Sequence, residues 1–183
     1  MELSAEREQK LRTLTALLDL PGRWVGLVTA WVILPLIGAL VYEVIGRYVF
    51  NSPTMWAYDI TYMLTGAMFM LGAAWTLGED RHVRADFLFN VLSPRWQGVI
   101  DGSMTLFLLL PAMVFFTLAT GEYAAESWMR GERIITSPWM PIIYPLKTVM
   151  PVTGVLLIIQ GISELLKSGY AIATNRSFRE PAT

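Results

Sequence analysis

An all-α integral membrane fold with four transmembrane helices is what this sequence predicts, and three observations carry the prediction. Uncharged apolar runs of bilayer-spanning length recur along the chain. They are apolar on every side rather than striped. Residues that start and stop helices fall between them. Composition agrees: hydrophobic residues make up 54% and charged residues 16%, where soluble proteins average roughly 45–50% and about 25%.

The runs are Trp24–Tyr42 and Ile60–Gly78, each 19 residues, Gly102–Gly121 at 20, and Thr148–Ser163 at 16. A span needs about 20 apolar residues, with a range of about 17–25. The fourth run reaches that length only with Leu165 and Leu166 included and with Lys147 and Glu164 extended toward headgroups. Inside lipid each backbone polar group must be satisfied within its own segment, so the runs are helices. A soluble bundle would carry apolar stripes with polar faces, whereas Leu106–Phe116 has none. The chain is thus expected to be a single membrane domain over residues 1–183. Its parts are an N-terminal interfacial segment 1–22, spans at about 24–50, 53–78, 94–130 and 146–166, and a tail 167–183.

Taken in order, the N-terminus does not read as a secretory signal, because three Glu accompany Arg7 and Lys10 before Trp24. Leu11, Leu14 and Leu18 share one helical face, which reads either as an amphipathic helix lying in the membrane interface or as a solvated stub. Pro35 and Pro111 lie mid-span and should disturb their helices. Asn51 suits the residue after a helix, Ser52 an N-cap and Pro53 the first helical residue. Phe87, Leu88, Val91 and Leu92 form a second interfacial helical face between spans 2 and 3. Ser93 and Pro94 repeat the N-cap and first-residue pattern. Glu122, Glu126 and Arg130 continue that helix to Gly131, giving a length of about 55 Å against a hydrocarbon core of about 30 Å. Prolines at 138, 141 and 145 make the approach to the fourth span extended or broken.

Ten of the Lys and Arg residues flank the termini and the 2–3 loop, and four flank the other two connections. The positive-inside rule therefore places both termini in the cytoplasm. Trp24, Trp56, Trp96, Trp128 and Trp139 fall where an aromatic belt would be.

Several function classes are excluded by composition. There is no cysteine and one histidine, His82, so thiolate catalysis, iron–sulfur clusters and multi-histidine metal sites are ruled out. A net charge of −1 offers no field for nucleic acid. No cofactor is expected. No carboxylate sits mid-span, and no nucleophile–base pair or phosphate loop is recognisable.

The densest polar cluster is Glu43, Arg47, Asn51, Trp56 and Asp59, at the end of span 1 and the start of span 2. Glu43 and Arg47 are spaced i,i+4 and can pair, and Asp59 enters span 2 close to where Arg47 leaves span 1. Charges near membrane depth pair, face protein or serve function. The cluster reads as a pin for this hairpin or a docking point, with a direct ion or proton site as the alternative. A second cluster is His82, Arg84 and Asp86. Two possible ligands are too few for a metal, so interface anchoring or partner contact is the reading, with Arg84 placed to meet an anionic lipid phosphate. Gly22-x-x-x-Gly26, Gly26-x-x-x-Ala30 and Gly98-x-x-x-Gly102 are candidates for close helix packing. Gln160 is expected to bond to a neighbouring helix.

The stretch Tyr42–Trp56, with Arg47-Tyr48, Phe50-Asn51, Pro53 and Trp56, resembles the signature of the small membrane subunit of tripartite ATP-independent periplasmic (TRAP) transporters, the DctQ-like family. Leu71–Trp75, then Arg81–Asp86, then Pro138-Trp139 and the Leu-rich stretch ending at Gln160 resemble it too, so the likeness spans roughly residues 20–167. Members of that family usually carry Glu just after the motif Trp; here the nearest acid is Asp59.

The resemblance implies a partner: a larger, elevator-type membrane subunit that holds the substrate and sodium sites. It also implies a periplasmic binding protein that delivers a carboxylate-bearing solute, and a bacterial inner-membrane location. On this view Arg47, Asn51, Trp56 and Asp59 stabilise the outer hairpin, while His82, Arg84 and Asp86 anchor the cytoplasmic side or touch the larger subunit. Competing classes are a self-sufficient homo-oligomeric transporter or channel and a membrane redox or enzyme subunit.

Overall fold

Proline dictates where the first helical rod changes register. Pro35 has no N–H for the Trp31 carbonyl, and the chain answers by tightening: Val32 N–H bonds to Thr29 C=O at 3.0 Å before the helix resumes. The computed structural model describes residues 5–78, 92–176 and 178. The rod comprises α1 (Ala5–Trp31) and α2 (Ile33–Tyr48); α3 is Ala57–Gly78. Then come α4 (Pro94–Met104) and α5 (Leu110–Arg130), joined by a π-helical turn at Thr105–Leu109. The last helix, α6, is Tyr144–Thr174. In the π turn Leu110 N–H reaches back five residues to Thr105 C=O, and the wider turn accommodates Pro111.

Four helical stretches, Glu6–Tyr48, Ala57–Gly78, Pro94–Arg130 and Tyr144–Thr174, are long and apolar enough to cross a membrane. The packing is inverted relative to a soluble protein. Among the described residues the buried hydrophobics are four alanines and Tyr170. Large side chains point outward: Phe107 is 76% exposed, Phe115 73% and Phe69 72%. An apolar surface this continuous belongs in hydrocarbon. The fold is an all-α membrane bundle.

Helix α6 is the axis. It touches α1, α3, α4 and α5, while α2 packs on α3. The small-residue motifs set these approaches. A Cβ on Gly26 would lie 2.5 Å from the Trp75 ring, so α1 seats that indole of α3. One on Gly98 would lie 2.8 Å from the Ser168 carbonyl, so α4 crosses α6 backbone to backbone.

Three local expectations change. Ser52 and Pro53 do not open α3, which begins at Ala57. The Thr54 N–H that a first helical turn would leave free is instead taken by Glu43 at 2.9 Å, so the helix starts later. The N-terminal segment is helical, but it runs unbroken into the first span; α1 packs on α6, and Arg12 lies 5.2 Å over the ring of Phe178, beyond the end of α6. Lys147 and Glu164 do not reach for headgroups. Their side chains are 5% and 10% exposed, and each finds an ion-pair partner inside the chain. Phe87, Leu88 and Val91 of the second amphipathic stretch lie outside the described residues.

Candidate functional site

At the α2–α3 end the predicted cluster assembles around one carboxylate. Glu43 Oε1 accepts from Arg47 Nε at 2.9 Å and also from its Nη2. Oε2 accepts from the N–H and the hydroxyl of Thr54. The i,i+4 spacing on α2 makes the first contact inevitable; the second ties the connection back onto its own helix. Asn51 adopts the left-handed conformation at φ 51°, which Asn tolerates better than most residues. That turn lets Ser52 N–H reach Gly46 C=O at 2.9 Å. Gly46 eases that approach, since a Cβ would stand 3.1 Å from the Ser52 oxygen, a tight contact. Trp56 lies against Tyr42, ring centroids 5.6 Å apart.

Asp59 has a different partner. Its carboxylate, only 6% exposed, accepts from the Ser137 hydroxyl. It sits in the first turn of α3, where the helix dipole favours an anion. Ser137 belongs to the connection between α5 and α6, so Asp59 joins that segment to the α2–α3 hairpin.

The connection itself is folded. Gly131 ends α5 in the left-handed region at φ 58°, as its position suggests. Arg133 and Ile142 form an antiparallel bridge, and Ile143 N–H bonds to Glu132 C=O at 3.2 Å. Glu132 pairs with Lys147, whose ammonium also stands 3.7 Å over the Tyr123 ring. The Lys147 ammonium holds the Glu132 carboxyl below the usual carboxylate range. Trp128 Nε1 donates to Thr148 at 2.8 Å.

A groove of about 530 Å³ opens between the two connections, with Tyr42, Ile45, Phe50, Trp56 and Trp139 among its walls.

The opposite end holds a network that the sequence reading did not single out. Asp19 of α1 accepts from Gln160 Nε2 at 2.8 Å, Ser163 Oγ at 2.6 Å and Lys167 Nζ at 2.8 Å. Lys167 also pairs with Glu164 at 2.9 Å. Gln160 is 2% exposed. It does bond to a neighbouring helix, as expected, and fits because Gly22 of α1 and Gly78 of α3 leave room for it. The i,i+3 spacing of Glu164 and Lys167 was a readable signal. Nothing in the sequence pairs Asp19 with residues some 145 positions away, nor Glu43 with Thr54, nor Asp59 with Ser137.

His82, Arg84 and Asp86 lie outside the described residues. Among the described residues no cluster of three or more His, Asp or Glu has a metal-holding arrangement.

A comparison with curated proteins finds no match. A family model described as tripartite ATP-independent periplasmic transporters, DctQ component, matches residues 36–168. That match runs from within α2 to within α6 and takes in both tied connections and the Gln160 side of the polar network. The chain therefore belongs to the DctQ family, a family of TRAP transporter components rather than of enzymes.

Proposed function

We propose that this chain is the small scaffold subunit of a sodium-coupled TRAP secondary transporter in a bacterial inner membrane, with both termini cytoplasmic. Its partners are a larger, elevator-type membrane subunit, which holds the substrate and sodium sites, and a periplasmic binding protein that brings a carboxylate-bearing solute. The observation that carries the reading is where the charges go. Glu43 with Thr54, Glu132 with Lys147, and Asp19 with Lys167 hold helices and connections to one another at the two ends of the bundle. Side chains used this way make a rigid body, which is what a moving partner needs to push against.

On this reading Glu43, Arg47, Asn51, Trp56 and Asp59 shape the periplasmic surface against which the binding protein and larger subunit sit. His82, Arg84 and Asp86 serve the cytoplasmic side, anchoring it to the membrane or to the larger subunit, with Arg84 on lipid phosphate.

The test is a tagged pull-down from native membranes in mild detergent, with mass spectrometry of what co-elutes. A stoichiometric, much larger polytopic partner is expected, and liposomes need both chains to take up solute. A chain that elutes only with itself and transports alone would replace this reading with a homo-oligomeric transporter.

A further inference from the structure

Arg23 is a charged side chain without an assigned use. It is exposed, and among the described residues it has neither an ion pair nor a hydrogen bond. The acid one turn before it, Asp19, is already engaged by Gln160, Ser163 and Lys167. Arg23 borders a cavity of about 370 Å³ whose walls include Asp19, Leu20, Trp75, Gly78 and Gln160. The indole Nε1 of Trp75 is a second donor without an acceptor. One cavity therefore has in its wall an unpaired guanidinium carrying a full positive charge, with the Trp75 indole beside it. Such a site takes an acceptor with negative charge.

Its depth narrows the ligand. Arg23 is 20 residues from Glu43 along the first rod, about 30 Å at 1.5 Å per residue, which is the thickness of the hydrocarbon core. The cavity thus sits at the boundary between acyl chains and headgroups, on the side that carries the termini. Trp24 beside it is 63% exposed, as an interfacial indole is. Toward the bilayer centre, space is open where a Cβ on Gly72 would be, and Leu27 and Trp31 are 46% and 72% exposed. Acyl chains have a path there. Asp19 in the wall disfavours a dianion and welcomes a headgroup that carries its own donor.

We propose that this cavity binds the phosphodiester of a membrane phospholipid, through Arg23 and Trp75, with an ammonium or hydroxyl of the headgroup toward Asp19. Arg23 and Asp19 precede the family-matched residues 36–168, while Trp75, Gly78 and Gln160 lie within them. The site does not depend on the scaffold reading, because lipid binding is measured without transport.

The test uses the full chain, with any co-purifying subunit, delipidated in detergent. Phosphatidylethanolamine, phosphatidylglycerol and inorganic phosphate are titrated separately, and binding is read by native mass spectrometry and thermal shift. Both lipids are expected to bind and stabilise. Arg23→Gln should bind them about tenfold more weakly, the loss of a charge-assisted hydrogen bond. Trp75→Phe, which keeps an aromatic ring against Gly26, should weaken binding by less and serves if Arg23→Gln does not fold. Arg7→Gln, on the same helix but away from the cavity, should bind as the unaltered chain does. The proposal is overturned if Arg23→Gln and Trp75→Phe both bind lipid normally. It is also overturned if Arg7→Gln loses as much, or if inorganic phosphate alone reproduces the stabilisation.

Discussion

The Glu43 carboxylate illustrates how unequal the members of one cluster are. It accepts from Arg47 on one oxygen and from Thr54 twice on the other. Its side chain is 14% exposed, whereas that of Arg47 is 55% exposed. Truncating Arg47 removes the solvated partner of the pair, which contributes little. Truncating Glu43 also frees the Thr54 N–H and hydroxyl in a part-buried turn. Glu43→Ala should therefore lower the melting temperature in detergent clearly, and Arg47→Ala should stay close to the unaltered protein; equal losses would place the stabilisation in the ion pair instead. Glu132 adds a pH signature. Its folded-state carboxyl is held below the usual range by the Lys147 ammonium, so its contribution is present above the unfolded value of about 4.3 and lost as pH falls through the folded one. Limited proteolysis of the 131–143 connection should accelerate in that acid window, and Glu132→Gln should cleave at one pH-independent rate across it. The i,i+4 pair of Glu43 and Arg47 was legible in the sequence. Their link to Thr54, and that of Asp59 to Ser137, were not, because a hydroxyl carries no pattern that names its distant partner.

Among the elements, α6 reads worst from hydropathy and matters most. Its apolar run is the shortest, broken by Thr153, Gln160 and Ser163. Those residues are buried because α6 faces four helices rather than lipid. A helix sheathed in protein can carry polar groups where its neighbours supply the partners that hydrocarbon cannot, as Asp19 of α1 does for Gln160 and Ser163. The glycine motifs, weak as sequence signals, become specific once their opposite surface is known. Gly26→Val would drive two methyls into the Trp75 ring, an overpacking that costs about 2–3 kcal/mol. Gly38→Val faces open space and should be near neutral. Thermal unfolding of both variants in detergent checks the contrast, and matching behaviour would mean that α1 and α3 do not pack at Gly26.

At the scale of the molecule, charged residues mark both edges of the bundle about 20 positions apart: Arg23 and Glu43, Asp101 and Glu122, Lys147 and Lys167. Each interval is about 30 Å of helix, one hydrocarbon thickness. The native chain has no cysteine, so a single introduced one is a unique label. Ile135→Cys, at a position 82% exposed, should react with a membrane-impermeant maleimide in intact spheroplasts. Arg176→Cys should react only after lysis; the reverse pattern would invert the orientation. The fold class and the number of spans were determined by sequence alone, because lipid acts on each helix separately and local apolar length is enough to meet its demand. Which helix stands at the centre, which connections are tied together, and which charges remain for a ligand were decided only by the tertiary structure. Those properties arise between segments distant in the chain, where Asp19 meets Lys167 and Asp59 meets Ser137, and no local rule of composition or spacing specifies such a meeting.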